Sequence, residues 1–172
     1  DLAIAVQKGT GAKIVGLDLS QQMLNVGITK IQKINLTDQI EMIKGDAENL
    51  PFESNKFDAV SVAFGVRNFE NLEKGLSELK RVVKEEKSVY ILEFSKVEGF
   101  LAPFYMFYFK NILPQIGKLV SKDNRAYTYL PDSVNAFPFG EKMKSILLNV
   151  GFKKVEYKKL SLGIATIYKA TK

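Results

Sequence analysis

The sequence predicts an α/β fold built on a doubly wound, mostly parallel β-sheet, and three observations lead to this prediction. Short apolar runs of strand length alternate with longer segments whose apolar residues recur at helical spacing. The short runs are rich in β-branched residues, which is typical of strands covered by helices on both faces. The length of 172 residues suits one domain with its own core, so we expect a single domain over 1–172.

The first part of the chain predicts helices and strands in alternation. Asp1 suits the positive end of a helix dipole, and Ser20 suits the N-cap of a second helix with an apolar stripe. The predicted elements are a helix over 1–6 that ends at Gly9 and Gly11, a strand over 12–17, a helix from Ser20 to about Lys33, and a strand over 39–44. The stripe of the second helix consists of Met23, Leu24, Ile28 and Ile31.

The second part of the chain continues this alternation and ends in two consecutive strands. The predicted elements are a strand over 57–63, a helix over 71–84, a strand over 88–94, a helix over 141–150, and strands over 152–160 and 162–170. A tight turn at Ser161 separates the last two strands, so we expect them to pair antiparallel at one edge of the sheet.

The segment over 100–139 interrupts the pattern. It is rich in aromatic residues and contains four prolines, namely Pro103, Pro114, Pro131 and Pro138. We predict a helical lid insertion that covers the strand ends. Aromatic residues are most often part of a core, but their density here favours an apolar substrate pocket.

One element of such a fold is missing from the sequence. A nucleotide-binding sheet of this kind normally opens with a strand and a glycine-rich turn that leads into the first helix, whereas this chain starts at that helix. Without its central first strand, the sheet would have unpaired strand edges. We therefore expect the intact protein to contain residues ahead of Asp1.

Composition excludes several kinds of chemistry. The chain has no cysteine and no histidine, which removes disulfides, thiol nucleophiles, most zinc sites and histidine bases, and we predict no metal site. The net charge is +6, but the cations are scattered and include only three arginines, so we expect no nucleic-acid partner.

The chain opens with no signal peptide, and its longest uncharged aromatic run is too short to cross a bilayer. We expect a cytoplasmic location.

Polar side chains stand where two predicted strands end. Arg67 and Asn68 follow the strand over 57–63, while Glu93 and Ser95 stand at the end of the strand over 88–94. Ligands of open α/β sheets bind outside the carboxyl ends of the strands, so we predict that these residues share one cleft.

These residues have functional and structural interpretations. Arg67 and Asn68 could orient an anionic or phenolic ring, or Arg67 could form a structural ion pair with Glu93 or a helix terminus. Glu93 could act as a general base or could only be the partner of Arg67. Ser95 is a loop hydroxyl rather than a nucleophile, because no obvious base accompanies it.

Two acidic residues follow the first two predicted strands. Asp18 could accept hydrogen bonds from ribose hydroxyls, or it could act near Ser20 as a helix cap. Asp46 could accept from an adenine amino group while the N–H of Ala47 meets a ring nitrogen, or Asp46 could simply form a turn after Gly45.

Several of these motifs resemble those of a known family. The segments FGVRNF at 64–69, GLSELKRV at 75–82 and LEFSK at 92–96 resemble signatures of the ubiquinone/menaquinone biosynthesis C-methyltransferases. The segments GLDLS at 16–20 and GDAENLPF at 45–52 resemble motifs of class I S-adenosylmethionine methyltransferases, which have a Rossmann-like fold. Two features depart from the family: the residues at 83–87 take the place of its usual Lys-Pro-Gly-Gly, and Ala63 replaces a serine found in some members.

The resemblance implies a cofactor site and a set of catalytic residues. The implied cofactor is S-adenosylmethionine, and its implied contacts are Asp1 at the end of a Gly-Thr-Gly-Asp turn, Gly16, Asp18, Asp46 and Ala47. The implied catalytic residues are Arg67, Asn68 and Glu93.

The implied reaction is C-methylation of a polyprenylated quinol ring, with menaquinol favoured over ubiquinol as the product. Two alternatives stay open: a methyltransferase for another small apolar molecule, and a non-catalytic binding module on the same fold. Peripheral contact with the inner face of a membrane and assembly into a homodimer also stay open.

Overall fold

A computed structural model describes residues 1–96, 133, 134 and 136–172 of the chain. The α-helices of this part are α1 (Leu2–Thr10), α2 (Gln21–Lys33), α3 (Leu72–Val82) and α4 (Glu141–Asn149). The strands are β1 (Ile14–Asp18), β2 (Ile40–Lys44), β3 (Phe57–Ala63), β4 (Val83–Phe94), β5 (Lys154–Leu160) and β6 (Ala165–Thr171). Short 3₁₀ turns lie at Val66–Asn68 and Ser161–Gly163. Most of the lid predicted over 100–139 lies outside the described residues.

The strands of the described residues form two separate sheets. β1 and β2 pair in parallel, and a four-stranded sheet has the order β3-β4-β6-β5. β3 and β4 are parallel, while β6 runs antiparallel to both of its neighbours, as predicted for the last two strands. Among the described residues, β1 pairs only with β2 and β3 pairs only with β4. No strand pairing in this part of the chain therefore joins the two sheets.

Most helix boundaries agree with their predicted signals. Ser20 caps α2 by accepting a hydrogen bond from the N–H of Met23 at 3.4 Å. α1 does not end at Gly9 but continues to Thr10, and Gly11 ends it in the left-handed conformation with φ of 71°. Asp1 precedes the first turn of α1 as its N-cap residue and makes no capping hydrogen bond with its side chain.

The core lies between the four-stranded sheet and the helices α3 and α4. Its fully buried members include Leu76 of α3, Leu147 of α4 and Ile91 of β4. On α2, Leu24 and Ile31 are buried as predicted, but Met23 is 60% exposed. The buried face of α2 is therefore narrower than the predicted apolar stripe. No helix in the described ranges is long and apolar enough to span a membrane.

β4 is longer than predicted. It begins at Val83, directly after α3, although the following residues 84–87 are all charged. Glu86 lies within this stretch and has a φ of +61°, in the left-handed region that favours glycine. Counted from Lys84, Glu86 stands where the Lys-Pro-Gly-Gly pattern of the resembled family has its first glycine.

We expect Glu86→Gly to stabilise the protein by up to about 1 kcal/mol, because relief of left-handed strain exceeds the entropy cost of a glycine. The side chain lost is 75% exposed and pairs with Lys153 at 2.6 Å, a contact of little net value. Thermal unfolding measures the change, with Lys153→Gln as the control, which removes this ion pair together with the longer one to Glu85 at 3.6 Å. A Glu86→Gly protein that melts below this control would contradict the strain argument.

Candidate active site

Arg67 and Glu93 form a buried ion pair at the carboxyl ends of β3 and β4. Because Ala63 pairs with Leu92 in the parallel register, the turn after β3 lies beside the end of β4. The Nη1 of Arg67 donates to the Oε1 of Glu93 at 2.7 Å and to the carbonyl oxygen of Phe64 at 2.6 Å. The ion pair with Glu93, one of the alternatives that the sequence leaves open for Arg67, is therefore observed.

The Glu93 carboxylate is enclosed by protein groups. Its side chain is 1% exposed, and Oε1 also accepts from the N–H of Phe94 at 3.0 Å. Oε2 accepts from the backbone N–H of Arg67 at 3.4 Å. A carboxylate engaged in this way favours the interpretation in which Glu93 holds Arg67 over the one in which it is a general base.

The Phe94 ring lies next to the Arg67 guanidinium, and the Phe64 ring packs on Phe94. Their rings stack with centroids 4.4 Å apart, and the Arg67 Cζ lies 5.5 Å from the centre of the Phe94 ring. Phe64 has a φ of +57°, an unfavourable conformation for a large side chain. This conformation directs the Phe64 carbonyl oxygen toward Arg67, so local backbone strain accompanies the placement of the cation.

A cavity of about 450 Å³ opens beside Arg67. Its walls are mostly apolar, and Arg67 is the one charged residue among the described residues that line it. The lining residues are Val66, Arg67, Phe69, Leu72, Ser133, Ala136, Phe137 and Pro138. The last four come from the described end of the predicted lid segment.

Two nitrogen atoms of the Arg67 guanidinium, Nη2 and Nε, have no hydrogen-bond acceptor among the described residues. Nε is also buried. Because an unpaired guanidinium donor is costly away from water, an oxygen acceptor in the cavity would be favoured there.

Asn68 and Ser95 differ in position. Asn68 is exposed in the same 3₁₀ turn as Arg67. Ser95 is 2% exposed, and its hydroxyl shares a hydrogen bond of 2.6 Å with the Thr166 hydroxyl of β6. The expectation that Ser95 faces the cleft is thus wrong, because β6 covers the end of β4 on this side.

The predicted cofactor residues Asp18 and Asp46 lie on neighbouring loops. Asp18 Oδ1 accepts from the N–H of Ser20 at 2.8 Å, and Asp46 Oδ1 accepts from the N–H of Glu48 at 2.8 Å. The N–H of Gly45 donates to the carbonyl oxygen of Asp18 at 3.1 Å and joins the two loops. Ala47 is half-buried directly after Asp46.

These two carboxylates fit a nucleoside. Each uses one oxygen to shape its own loop and keeps a second oxygen for which the described residues offer no hydrogen-bond partner. Asp18 is half-buried and Asp46 is exposed, so both remain accessible to hydroxyl or amino donors. The structural role and the binding role of each residue are therefore compatible.

The remaining predicted cofactor residues have evident structural contacts. Asp1 is 82% exposed at its side chain and pairs with Lys30 at 2.8 Å. Gly16 lies within β1, where an added Cβ would come within 2.5 Å of the Met42 sulfur. A larger residue at position 16 would therefore require the Met42 side chain to move, and cofactor contacts for Gly16 and Asp1 stay predictions.

Comparison with known proteins places the chain in a family. The sequence model described as the ubiE/COQ5 methyltransferase family matches residues 1–172. The chain belongs to this family. The resemblance on which the sequence analysis relied is therefore confirmed.

Relatives of this ubiE/COQ5 family chain include two named demethylmenaquinone methyltransferase. The Bacteroides fragilis protein is 45% identical over 161 residues, which cover 93% of this chain and 66% of that protein. The Porphyromonas gingivalis protein is 40% identical over 177 residues, which cover 100% of this chain and 71% of that protein. The chain thus spans about two thirds of the length of these relatives.

Solved structures confirm the predicted class I methyltransferase fold of the ubiE/COQ5 chain. A putative S-adenosyl-L-methionine-dependent methyltransferase from Methanococcus maripaludis matches with a TM-score of 0.68 at 23% identity, covering 99% of this chain and 72% of that chain. Haemonchus contortus phosphoethanolamine N-methyltransferase 2 matches with a TM-score of 0.72 at 15% identity, covering 99% of this chain and 45% of that chain.

The ubiE/COQ5 chain also contains a buried contact that sequence reasoning missed. The N–H of Gly140, at the start of α4, donates to the Tyr168 hydroxyl of β6 at 2.7 Å. Burial raises the pKa of Tyr168, although the hydrogen bond from Gly140 acts in the opposite direction. This contact anchors the end of the segment that contributes Phe137 and Pro138 to the cavity wall. No local signal in the sequence connects Gly140 with a tyrosine 28 positions away.

Proposed function

We propose that the protein transfers a methyl group from S-adenosylmethionine to a ring carbon of a polyprenylated quinol, converting demethylmenaquinol to menaquinol. The observation that carries the proposal is a cation, Arg67, which is the one charged residue among the described residues that line an apolar cavity, with the buried carboxylate of Glu93 behind it. The names of the relatives that share at least 40% identity support the same reaction.

The residues that would hold the cofactor are Asp18, Asp46 and Ala47, while Asp1 and Gly16 are candidates that rest on the family resemblance. S-adenosylmethionine supplies an electrophilic methyl group when it is bound. The free carboxylate oxygens of Asp18 and Asp46 suit ribose hydroxyls and the adenine amino group, respectively.

Arg67 stabilises negative charge on the ring hydroxyl of the quinol. A phenolic hydroxyl has a pKa near 10, and a cation within hydrogen-bond distance lowers such a pKa by about 1–3 units. The Arg67 Nη2 is the donor available for this oxygen, because Nη1 already holds Phe64 and Glu93. Charge on the oxygen raises the electron density at the neighbouring ring carbon, which makes that carbon a better nucleophile.

Asn68 and Glu93 have different roles beside Arg67. The amide of Asn68 orients the ring from the exposed side of the same turn. Glu93 fixes the guanidinium, and we assign the hydroxyl proton to water because the Glu93 carboxylate is enclosed. S-adenosylhomocysteine would be the leaving group of the transfer. The methylated ring carbon would then lose its hydrogen as a proton while the ring oxygen regains one, so that one proton is released in all.

The apolar cavity accommodates the first part of the prenyl tail. Its volume of about 450 Å³ lies within the range of small-molecule sites, and its walls include Val66, Phe69, Leu72 and Phe137. A tail longer than this would extend beyond the cavity, which is consistent with peripheral contact at the inner face of a membrane. Homodimer formation remains a separate expectation.

The test is an assay of the intact protein with S-adenosylmethionine labelled in its methyl group. Demethylmenaquinol, demethylubiquinol analogues and small phenols without a tail serve as acceptors. We expect label in the naphthoquinol ring and little or none in the tail-free phenols. Transfer only to tail-free acceptors would favour another small-molecule methyltransferase, and absence of transfer despite cofactor binding would favour a binding module.

A further inference from the structure

A bridge of polar contacts fastens the loop over 45–52 to helix α3. The Arg81 guanidinium donates from Nη1 to the carbonyl oxygen of Phe52 at 2.6 Å and from Nη2 to that of Leu50 at 3.0 Å. Glu78, one turn earlier on α3, accepts from the N–H of Leu50 at 2.8 Å. Arg81 and Glu78 therefore hold three backbone groups of the loop.

Arg81 and Glu78 also hold each other. Nε and Nη2 of Arg81 contact the two oxygens of Glu78 at 2.6 and 2.7 Å, an arrangement in which the guanidinium binds the carboxylate with two parallel bonds. The hydrogen bonds from Arg81 hold the pKa of Glu78 below its usual value. The pair is partly buried, with side chains 32% and 18% exposed, which reduces the weakening effect of water.

The same loop has a third attachment at the start of α3. The Glu48 carboxylate accepts from the N–H of Glu70 at 2.6 Å and from that of Asn71 at 3.2 Å. Residues 48, 50 and 52 are thus tied to α3 or its N-terminus, while Asp46 and Ala47 stay at the strand-end side of the loop. These ties limit the movement of the segment that presents Asp46.

We propose that Arg81 and Glu78 are positioning residues for the adenine part of the cofactor: they hold the loop over 45–52 so that Asp46 and Ala47 can bind it. The inference rests on the proposed function for the nature of the ligand. Neither residue lies at the carboxyl end of a strand, so each acts through the loop rather than by contact with the nucleoside.

The loop itself gives reasons why the bridge is needed. Asp46 shapes a short turn by accepting from the N–H of Glu48, and Leu50 is the one residue of the loop that is buried. If Arg81 were absent, the carbonyl oxygens of Leu50 and Phe52 would lose their charged donor and would have to bond to water. The loop would then sample open conformations that cannot bind the cofactor. The apparent affinity would fall in proportion to the fraction of molecules whose loop is still closed.

Arg81→Lys in the intact protein is the first test. Lysine keeps the charge but cannot contact two carbonyl oxygens and both carboxylate oxygens together. We expect the closed fraction of the loop to fall to about one tenth, so that the dissociation constant for S-adenosylmethionine rises about tenfold and the Leu50 amide exchanges at close to the rate of an unprotected amide. We expect kcat at saturating cofactor to stay within about twofold, because Arg81 does not contact the reacting atoms.

Two further variants complete the test. Glu78→Gln keeps an acceptor for the Leu50 amide and weakens the pairing with Arg81, so its effects should have the same direction and be smaller. Lys84→Gln removes an exposed ion pair with Asp58 and should change neither exchange nor affinity. Calorimetric titration gives the affinities, and exchange of the Val89 and Ile91 amides in β4 reports global opening.

The outcomes separate this inference from the proposed function. Faster exchange at Leu50 with unchanged cofactor affinity would overturn the positioning role, and so would an equal acceleration at Val89 and Ile91, which would indicate general destabilisation. Unchanged Leu50 exchange would overturn the bridge itself. A wild-type protein that binds no S-adenosylmethionine would instead overturn the proposed function, and the exchange data would still report on the bridge.

Discussion

Arg67→Ala is expected to lower kcat by about 10²–10³-fold, as for removal of one preorganised charge donor at a reacting oxygen. The affinity for S-adenosylmethionine should stay within about twofold, because Asp18 and Asp46 lie on other loops and the described part of the chain has no hydrogen bond between them and Arg67. Methyl transfer to demethylmenaquinol and calorimetric titration of the cofactor measure these two quantities separately.

The pH dependence distinguishes a catalytic Arg67 from a structural one. If Arg67 stabilises the ionised hydroxyl, its removal returns that hydroxyl toward its ordinary pKa near 10. The rise of kcat with pH should then move to higher pH in Arg67→Ala. A loss of activity with an unchanged pH profile would remove Arg67 from the chemistry and leave it a role in folding.

Removal of Arg67 alone leaves the Glu93 carboxylate buried and unpaired, so a companion variant is needed. Arg67→Met combined with Glu93→Gln removes both charges and keeps similar side-chain volumes. This double variant should fold and should still lack activity. Lys144→Ala serves as the control, because Lys144 pairs with the exposed Glu141 on α4, away from the cavity. A double variant with wild-type turnover would exclude any catalytic role for Arg67.

Local signals predict much of the fold because they need only neighbouring residues. Ser20 caps α2 through an N–H three positions later, and the strand predicted over 57–63 has the bounds observed for β3. The pairing of Arg67 with Glu93 is one of the alternatives that the sequence leaves open, and it is observed because the two residues stand at the ends of neighbouring parallel strands. In each case a short-range pattern or a simple topology fixes the contact.

The unpredicted features depend on partners far away in the chain. The charged residues 84–87 argue against a strand, yet β4 includes them; the N–H of Glu86 donates to the Lys172 carbonyl oxygen and the N–H of Lys172 donates to that of Lys87. Arg81 belongs to a recognisable motif, but its attachment to Phe52 joins residues 29 positions apart. Neither periodicity nor propensity contains this information, because tertiary contacts override local preference.

Glu93→Ala is expected to destabilise the protein by about 3–5 kcal/mol, because it leaves the Arg67 guanidinium buried without its counter-ion. The side chains of the pair are 12% and 1% exposed, so water cannot replace the lost carboxylate without rearrangement. Chemical denaturation measures the change in the free energy of unfolding. A loss below about 1 kcal/mol, the value of a surface ion pair, would contradict the burial argument.

Glu93→Gln separates the two interpretations of Glu93 without this large loss of stability. The amide oxygen of glutamine can accept from the Nη1 of Arg67 or from the N–H of Phe94, so the guanidinium keeps part of its support. If Glu93 only positions Arg67, the folded Gln variant should keep kcat within about tenfold of wild type, the effect of one weakened charged hydrogen bond. A general base cannot be replaced by an amide, so a loss as large as that of Arg67→Ala would assign proton transfer to Glu93. The enclosure of the carboxylate by Arg67 and Phe94 favours the first outcome, because a base must reach the proton that it removes.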